Sequence, residues 1–510
     1  MDRSVYLINP RENGPSYHGL EVFEAWKIAR LVSLADLSTT TVAALVPSNW
    51  NVAICDERIQ PVNFHAAASV IGITGKSSQR DRMIELAGEF RRRGKLVMIG
   101  GPYASLNPDD MRPHADILVT GELEEVAETV FSDIAADRWQ TEYAGTRPDL
   151  SRSPMPRWDL YPRGVATTAQ VQTSRGCPFE CEFCDVIQYL GRKQRWKDPE
   201  QVVKELDVLY RFGYRGVFFA DDNFTVMRRR TRALLQRVAE WNAERRAGPM
   251  EFATQVSIDL ARDSELLALC AKAGLTNVFI GIETPNEDSL SETLKRQNLR
   301  INLTEEVIKV VSAGVMVMSG GIVGFDHDGP DIFERQAAFI DSLPVPLVTL
   351  GVLVASASTP LYARMEREGR LVQHGNVAFG RYLTTNFRLK RISEAQLKNG
   401  MEWLLNHVYS PHAYGQRVKA FADICPARAG GVIAPPLFAG IESPLARRLA
   451  QYGKEELNLL RLFQQISLQR PDLRSHLRNV FIYYCQFRHT MEHNRIWNPR
   501  LSHQDAPMAA

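Results

Sequence analysis

At 510 residues, 45% hydrophobic and 24% charged, the chain is long enough for two to four globular domains with sizeable cores. Lys plus Arg total 61 against 59 for Asp plus Glu, a net charge of +2 that points neither to nucleic acid nor to an acidic membrane surface as a partner. No run of about 18 apolar residues reads as a spanning helix. The N-terminus lacks a signal-peptide pattern, and Cys55, Cys270, Cys425 and Cys485 are widely scattered, so a cytoplasmic protein with reduced thiols is expected.

Residues 1–150 alternate short apolar runs with helical stretches. Val5 to Pro10, Val52 to Glu57, Val70 to Gly75, Leu96 to Gly101 and Asp116 to Gly121 read as buried strands. Gln79 to Arg93 places Met83, Leu86, Ala87 and Phe90 at core-facing helical spacing, while Arg91 to Arg93 and Arg228 to Arg230 read as solvated faces. Strands joined in this way predict a parallel, doubly wound, Rossmann-like α/β sheet that binds ligands beyond its strand carboxyl ends. Those ends carry Asn9, Asp56, Glu57, Thr74, Gly100, Gly101, Pro102, Gly121 and Glu122, and glycines there let a bulky ligand reach the backbone. His18 and His65 read as surface or capping residues.

Residues 151–164, opening on the Pro- and Ser-rich Ser151 to Trp158, read as a linker. Over 165–372, strands at Ala169 to Thr173, Gly216 to Asp222, Phe252 to Val256, Asn277 to Glu283, Val315 to Phe325 and Leu347 to Leu353 alternate with helices such as Pro199 to Phe212. Six strand–helix units fall two short of a closed (β/α)8 barrel, and polar residues at the strand ends are expected to face its site. Met316 and Met318 read as core, and Cys270 as a buried, inert thiol. From about Gly375, in a region spanning 373–510, helices take over: Ser393 to Asn406, His412 to Phe421, Ser443 to Gln469 and Leu473 to Arg488. Phe481 to Phe487 fits core packing better than a pocket wall, and the tail from Asn498 is expected to fray.

The first of the six strands delivers Thr173-Ser174-Arg175-Gly176-Cys177-Pro178-Phe179-Glu180-Cys181-Glu182-Phe183-Cys184-Asp185. Thiolates are soft ligands, and three so close can grip one metal centre; four would close a structural site, whereas three leave a position for chemistry. A zinc site completed by a distant Cys or His, on a non-redox scaffold or partner-binding protein, is the alternative that spacing leaves open. The C-x3-C-x2-C pattern with Phe183 before its last cysteine resembles the signature of radical S-adenosylmethionine (SAM) enzymes. That resemblance implies a [4Fe–4S] cluster on Cys177, Cys181 and Cys184, with SAM on the remaining iron and reductive cleavage of SAM to a 5′-deoxyadenosyl radical. A partial barrel with an open side is that family's fold.

The same resemblance implies further roles. Asp221 and Asp222 end the second strand, where the family holds the SAM amino group; for Asp222 a helix N-cap is an equal alternative. Glu283 takes the ribose hydroxyls, and Gly320 and Gly321 give backbone contacts to adenine. Gly100 to Ala104 and Asp116 to Glu122 resemble strand ends of the cobalamin-binding domain that precedes many radical SAM barrels, although no Asp-x-His-x-x-Gly is present to put a histidine on cobalt. The helical end resembles, loosely, that of radical SAM methylases acting on hopanoids and bacteriochlorophylls. The implied reaction is cobalamin-dependent methylation of an unactivated carbon, or of phosphorus, in a small-molecule natural product, lipid or pigment precursor, with flavodoxin or ferredoxin as reductant. The runner-up is a radical SAM enzyme that performs a rearrangement, a cyclisation or 3-amino-3-carboxypropyl transfer without cobalamin.

Overall fold

The computed structural model describes residues 3–372, 382–427 and 434–504. Gly375, the expected onset of the helical region, and the last six residues lie outside these.

The N-terminal region holds β1 (Ser4–Asn9), β2 (Val32–Leu34), β3 (Asn51–Asp56), β4 (Val70–Thr74), β5 (Leu96–Gly100), β6 (Ile117–Thr120) and β7 (Glu142–Ala144). Six of these form one sheet in the order β3-β1-β4-β5-β6-β7, all parallel. Its central strands read as unbroken apolar runs because helices cover both faces. One cover is the helix Arg80–Arg92, which buries Met83, Leu86, Ala87 and Phe90, the stripe expected from spacing.

Next come β8 (Ala166–Val171), β9 (Ser174–Arg175), β10 (Arg195–Trp196), β11 (Gly216–Phe219), β12 (Glu251–Val256), β13 (Leu275–Glu283), β14 (Met316–Val323) and β15 (Leu347–Val352). The six expected strands pair in parallel as β15-β14-β13-β12-β11-β8, an open half-barrel. A seventh strand was not expected. β2 leaves the first sheet and pairs with β8, Val32 opposite Ala166 and Leu34 opposite Thr168. Along β11 to β14, fully buried residues alternate with half-exposed ones such as Phe218, Ala253, Phe279, Met318 and Ile322, which line the open inner face. Met318 is therefore not core, whereas Met316 is.

The C-terminal helices are Glu394–Val408, Pro411–Ile424, Ser443–Leu449, Lys454–Gln469 and Arg474–His493. The single helix expected over 443–469 is broken at Gly453, whose φ of 152° leaves the helical region. Phe481, Tyr484, Cys485 and Phe487 are fully buried, as core packing requires. Residues 498–504 are docked rather than frayed: the Asn498 amide donates to Asn406 Oδ1 at 2.7 Å, and Trp403 Nε1 donates to the Gln504 carbonyl at 3.0 Å. The two chain ends also meet. Gln486 accepts the Val22 amide at 3.0 Å and donates to the Ser16 carbonyl at 2.7 Å. The expected linker is anchored too, with Trp158 and Tyr161 buried and the Tyr161 hydroxyl on Asp56 at 2.9 Å. Among the described residues no helix is long and apolar enough to cross a membrane, and all seven cysteines are free thiols.

Candidate functional site

The cysteine loop leaves the end of β8 and is fastened from the neighbouring strand end. Asp221, just past β11, accepts the Thr173 amide at 2.7 Å, the Ser174 hydroxyl at 2.7 Å and the Thr173 hydroxyl. Asp222 accepts the Gly176 amide at 2.8 Å. Gly176 has φ +96°, and a Cβ there would sit 2.9 Å from the carbonyl oxygens of Gly191 and Lys193, so only glycine fits. The Cys177 amide donates to the Gly191 carbonyl at 3.2 Å, and the Cys184 amide to the Cys181 carbonyl at 3.1 Å. Between the cysteines, Glu182 is gripped by Arg364 through both oxygens, at 2.7 and 2.9 Å.

Burial pushes the Cys177 thiol up and the Cys184 thiol up to about 12, and the nearness of the other cysteines adds to both shifts. Cys177 and Cys184, which resist ionising alone, stand with Cys181 in a donor set that a soft cation discharges, which is what iron of a cluster does. Among the described residues no three His, Cys, Asp or Glu side chains gather as one metal ion requires. Thiolates on three separate irons carry no such requirement, so the donor set fits the cluster. Phe183 packs on Phe325, ring centroids 6.3 Å apart.

The expected SAM residues are brought to the same end of the half-barrel, in differing states. Asp221 is fully buried and both its oxygens are engaged by the loop, so it positions the cysteines. Asp222 is not an N-cap, because the next helix, Arg228–Ala243, starts after Met227. Burial raises its carboxyl to about 6, against the pull of the Gly176 amide. Glu283 has φ +68°, in the left-handed region that side chains avoid, at a register shift between β13 and β14. Its carboxylate pairs with Lys295 at 2.7 Å. Gly320 faces the interior, where a Cβ would lie 3.1 Å from the Phe279 ring and 3.8 Å from Glu283 Oε2. Gly321 points the other way, into Leu350 and Gln336.

One residue escaped the sequence reading. Lys295 sits in a polar loop with no periodic signal, yet its ammonium lies 5.9 Å from the Phe183 ring centroid. Burial disfavours its charge, but Glu283 and the nearby Cys181 and Cys184 outweigh that and raise its pKa. His18 was expected at the surface. It is exposed there, with its ring edge-on to Phe279 of β13, 6.2 Å between centroids.

Beyond the carboxyl ends of β1, β4, β5 and β6 lies a cleft of about 420 Å³. Thr74, Gly100, Gly101, Pro102, Gly121 and Glu122 line it from the first sheet, and Gln170, Gln172, Arg175 and Tyr189 from the barrel side. Gly101 and Gly121 both have positive φ, and a Cβ on either would strike Thr74 Oγ1 or the Gly145 carbonyl. The lining contains no histidine. Asp56 and Glu57 are not part of it. They end β3, the edge strand, and their carboxylates are taken by Arg58 and Tyr161 and by Arg82. A glycine-floored cleft with no imidazole fits a corrinoid held without a histidine ligand.

The sequence family described as the Radical SAM superfamily matches residues 171–340, and a domain of unknown function, DUF4070, matches 359–495. The chain is 37% identical over 397 residues to an uncharacterized methyltransferase (sll1242) of Synechocystis sp., covering 76% of this chain and 73% of that one. It is 34% identical over 344 residues to the hopanoid C-2 methylase of Rhodopseudomonas palustris, covering 66% and 65%. Identity to the bacteriochlorophyllide d C-8(2)-methyltransferase of Chlorobaculum tepidum is 21% over 409 residues, covering 74% and 88%. Among solved structures, the cobalamin- and [4Fe–4S]-bound methyltransferase TsrM of Kitasatospora setae aligns with a TM-score of 0.61 at 13% identity, over 92% of this chain and all of that one. OxsB, a cobalamin-dependent SAM radical enzyme with aqua-cobalamin and SAM bound, gives 0.62 at 15%, over 97% and 80%. Half-barrel, cysteine loop and relatives agree: the chain belongs to the radical SAM superfamily, in the group that joins an N-terminal Rossmann-like domain and a C-terminal helical region to the barrel.

Proposed function

We propose that this enzyme is a cobalamin-dependent radical SAM methyltransferase that alkylates an unactivated carbon of a small, hydrophobic, polycyclic acceptor. The observation that carries the reading is Arg175: it lines the N-terminal cleft and stands two residues before Cys177, so the proposed cobalamin and cluster sites share a wall.

In this reading Cys177, Cys181 and Cys184 hold the [4Fe–4S] cluster, with SAM beside it and cobalamin in the cleft. Bound there, the cluster supplies the electron that splits SAM into the hydrogen-abstracting adenosyl radical, and cobalamin supplies the transferable methyl group. Asp221 and Asp222 keep the cysteine loop in one geometry and set a carboxylate beside the SAM ammonium. Glu283, held by Lys295, accepts from the ribose hydroxyls, and Gly320 lets adenine approach the backbone. Phe218, Ala253, Phe279, Met318 and Ile322 give the inner face an apolar wall, which keeps water from the acceptor and favours hydrocarbon over polar substrates. The hopanoid and bacteriochlorophyllide methylases among the relatives act on molecules of that kind. A flavodoxin or ferredoxin is the proposed electron donor, and the cytoplasm the proposed compartment.

The test is anaerobic incubation of the reconstituted protein with SAM, reduced flavodoxin, hydroxocobalamin and a hopanoid, with every SAM-derived product identified. Equal amounts of 5′-deoxyadenosine and S-adenosylhomocysteine with a methylated acceptor are expected. Deoxyadenosine alone selects a non-methylating radical enzyme, and methylthioadenosine selects aminocarboxypropyl transfer.

A further inference from the structure

Glu122 was expected to touch a cofactor. Its carboxylate, on a residue only 4% exposed, is also the hub of an ion network that ties the first sheet to the cysteine loop. Arg175 Nη1 donates to it, and Arg195 donates through Nη2 at 2.5 Å and Nη1 at 3.0 Å. Arg175 is held further by Glu124 at 2.7 Å and by Gln172 Oε1 at 2.6 Å. Arg195 also donates to the Pro148 carbonyl at 2.9 Å. Arg175 and Arg195 are themselves paired residues of the β9–β10 ribbon. Glu122, Glu124, Gln172 and Arg175 all line the N-terminal cleft. From Arg175 the chain runs directly into Gly176, pinned by Asp222, and Cys177, pinned by the Gly191 carbonyl.

We propose that the Glu122–Arg175 pair couples the two cofactor sites, so that cobalamin in the cleft and SAM at the cluster bind with positive cooperativity. This rests on the reading of the cleft given above. The sign follows from electrostatics. A corrinoid seated on this wall covers the 12% of the Arg175 side chain and 10% of Glu124 that water still reaches, lowers the local dielectric and strengthens the ion pairs. Firmer pairs hold Arg175, and with it the backbone of Gly176 and Cys177, in the geometry that the loaded cluster presents to SAM. Ordering done by the first ligand need not be repeated for the second. Coupling of this kind is reciprocal, so each ligand must raise the other's affinity by the same factor.

The experiment uses the full chain with its cluster reconstituted anaerobically. SAM is titrated with and without saturating hydroxocobalamin, and hydroxocobalamin with and without saturating SAM, by equilibrium dialysis. Wild type is expected to show the same ratio in both directions, about fivefold or more. In Glu122→Gln the ratio falls to about one while iron content is unchanged, an outcome that a merely structural ion pair does not produce. Glu124→Gln, which removes one charge and leaves the hub, gives an intermediate ratio and serves if Glu122→Gln does not fold. Bound cobalamin with a ratio of one in wild type, or a wild-type ratio retained in Glu122→Gln, overturns the coupling alone. Absence of hydroxocobalamin binding overturns the reading of the cleft and the coupling together.

Discussion

The Asp221 carboxylate takes the Thr173 amide at 2.7 Å, so the end of one barrel strand sets where the cysteine loop of its neighbour begins. Asp221→Ala would leave that amide and the hydroxyls of Thr173 and Ser174 without their buried acceptor, at about 1–3 kcal/mol per group. Iron per chain after reconstitution should fall below half of wild type. An Asp221→Ala protein with full iron content would show that the loop holds its shape unaided.

Cys181 is the most buried of the three cysteines, and Gln297 Nε2 lies 3.7 Å from its sulfur. Replacing it removes one of three ligands but no part of the half-barrel core. Cys181→Ala should therefore lose the cluster's visible absorption and all SAM cleavage while its circular dichroism matches wild type. Retained SAM cleavage would contradict the ligand role.

Much of this site was legible before any coordinate. The cysteine loop, the six barrel strands and the strand-end positions of Asp221, Asp222 and Glu283 follow from spacing and from apolar runs that only buried parallel strands require. What stayed hidden depends on neighbours distant in sequence. β2 is three residues long and becomes a strand only because β8 offers it an edge. Asp56 and Glu57 look like any other strand end, and strand order alone puts them at the edge of the sheet, away from the cleft. Lys295 carries no local pattern; it matters through the carboxylate and the ring it meets across the fold. Gly453 broke a helix that periodicity carried straight through, since one glycine is tolerated in most helices.

Glu283 carries a positive φ and a salt bridge to Lys295, an arrangement that fixes the carboxylate at the inner face. Hydrogen bonds from ribose hydroxyls to a charged acceptor contribute about 1.5–3 kcal/mol. Glu283→Gln should weaken SAM binding about tenfold or more with iron content unchanged. An unchanged SAM dissociation constant would remove the ribose role.

Arg364 lies far along the chain from the cysteines, yet it clamps Glu182 and also reaches Asp326 at 2.7 Å. Arg364→Met keeps most of the side chain's bulk and removes the clamp. The cluster should still assemble, but it should bleach several-fold faster in air, because the segment between Cys181 and Cys184 is freer to expose it. Bleaching at the wild-type rate would show that the loop needs no such restraint.

Glu21 gives a pH dependence with a definite sign. Burial is the largest influence on its carboxyl and raises it to about 7, aided by Glu12 and opposed by the Gln486 amide, which donates at 2.6 Å. A carboxyl whose pKa is higher when folded favours the folded state in its protonated form. That contribution is complete below the unfolded value of about 4.5 and is lost as pH rises through about 7. The full shift corresponds to about 3 kcal/mol, and partial exposure of the side chain reduces this to about 1–2 kcal/mol. Gln at this position keeps an oxygen for Gln486 and cannot ionise. Thermal unfolding midpoints measured at pH 5.5 and pH 8 should therefore fall less for Glu21→Gln than for wild type, with the variant the more stable of the two at pH 8. Equal falls in the two proteins would mean that Glu21 is already ionised in the fold, and that the junction between the N-terminal segment and the helix Arg474–His493 is open to water.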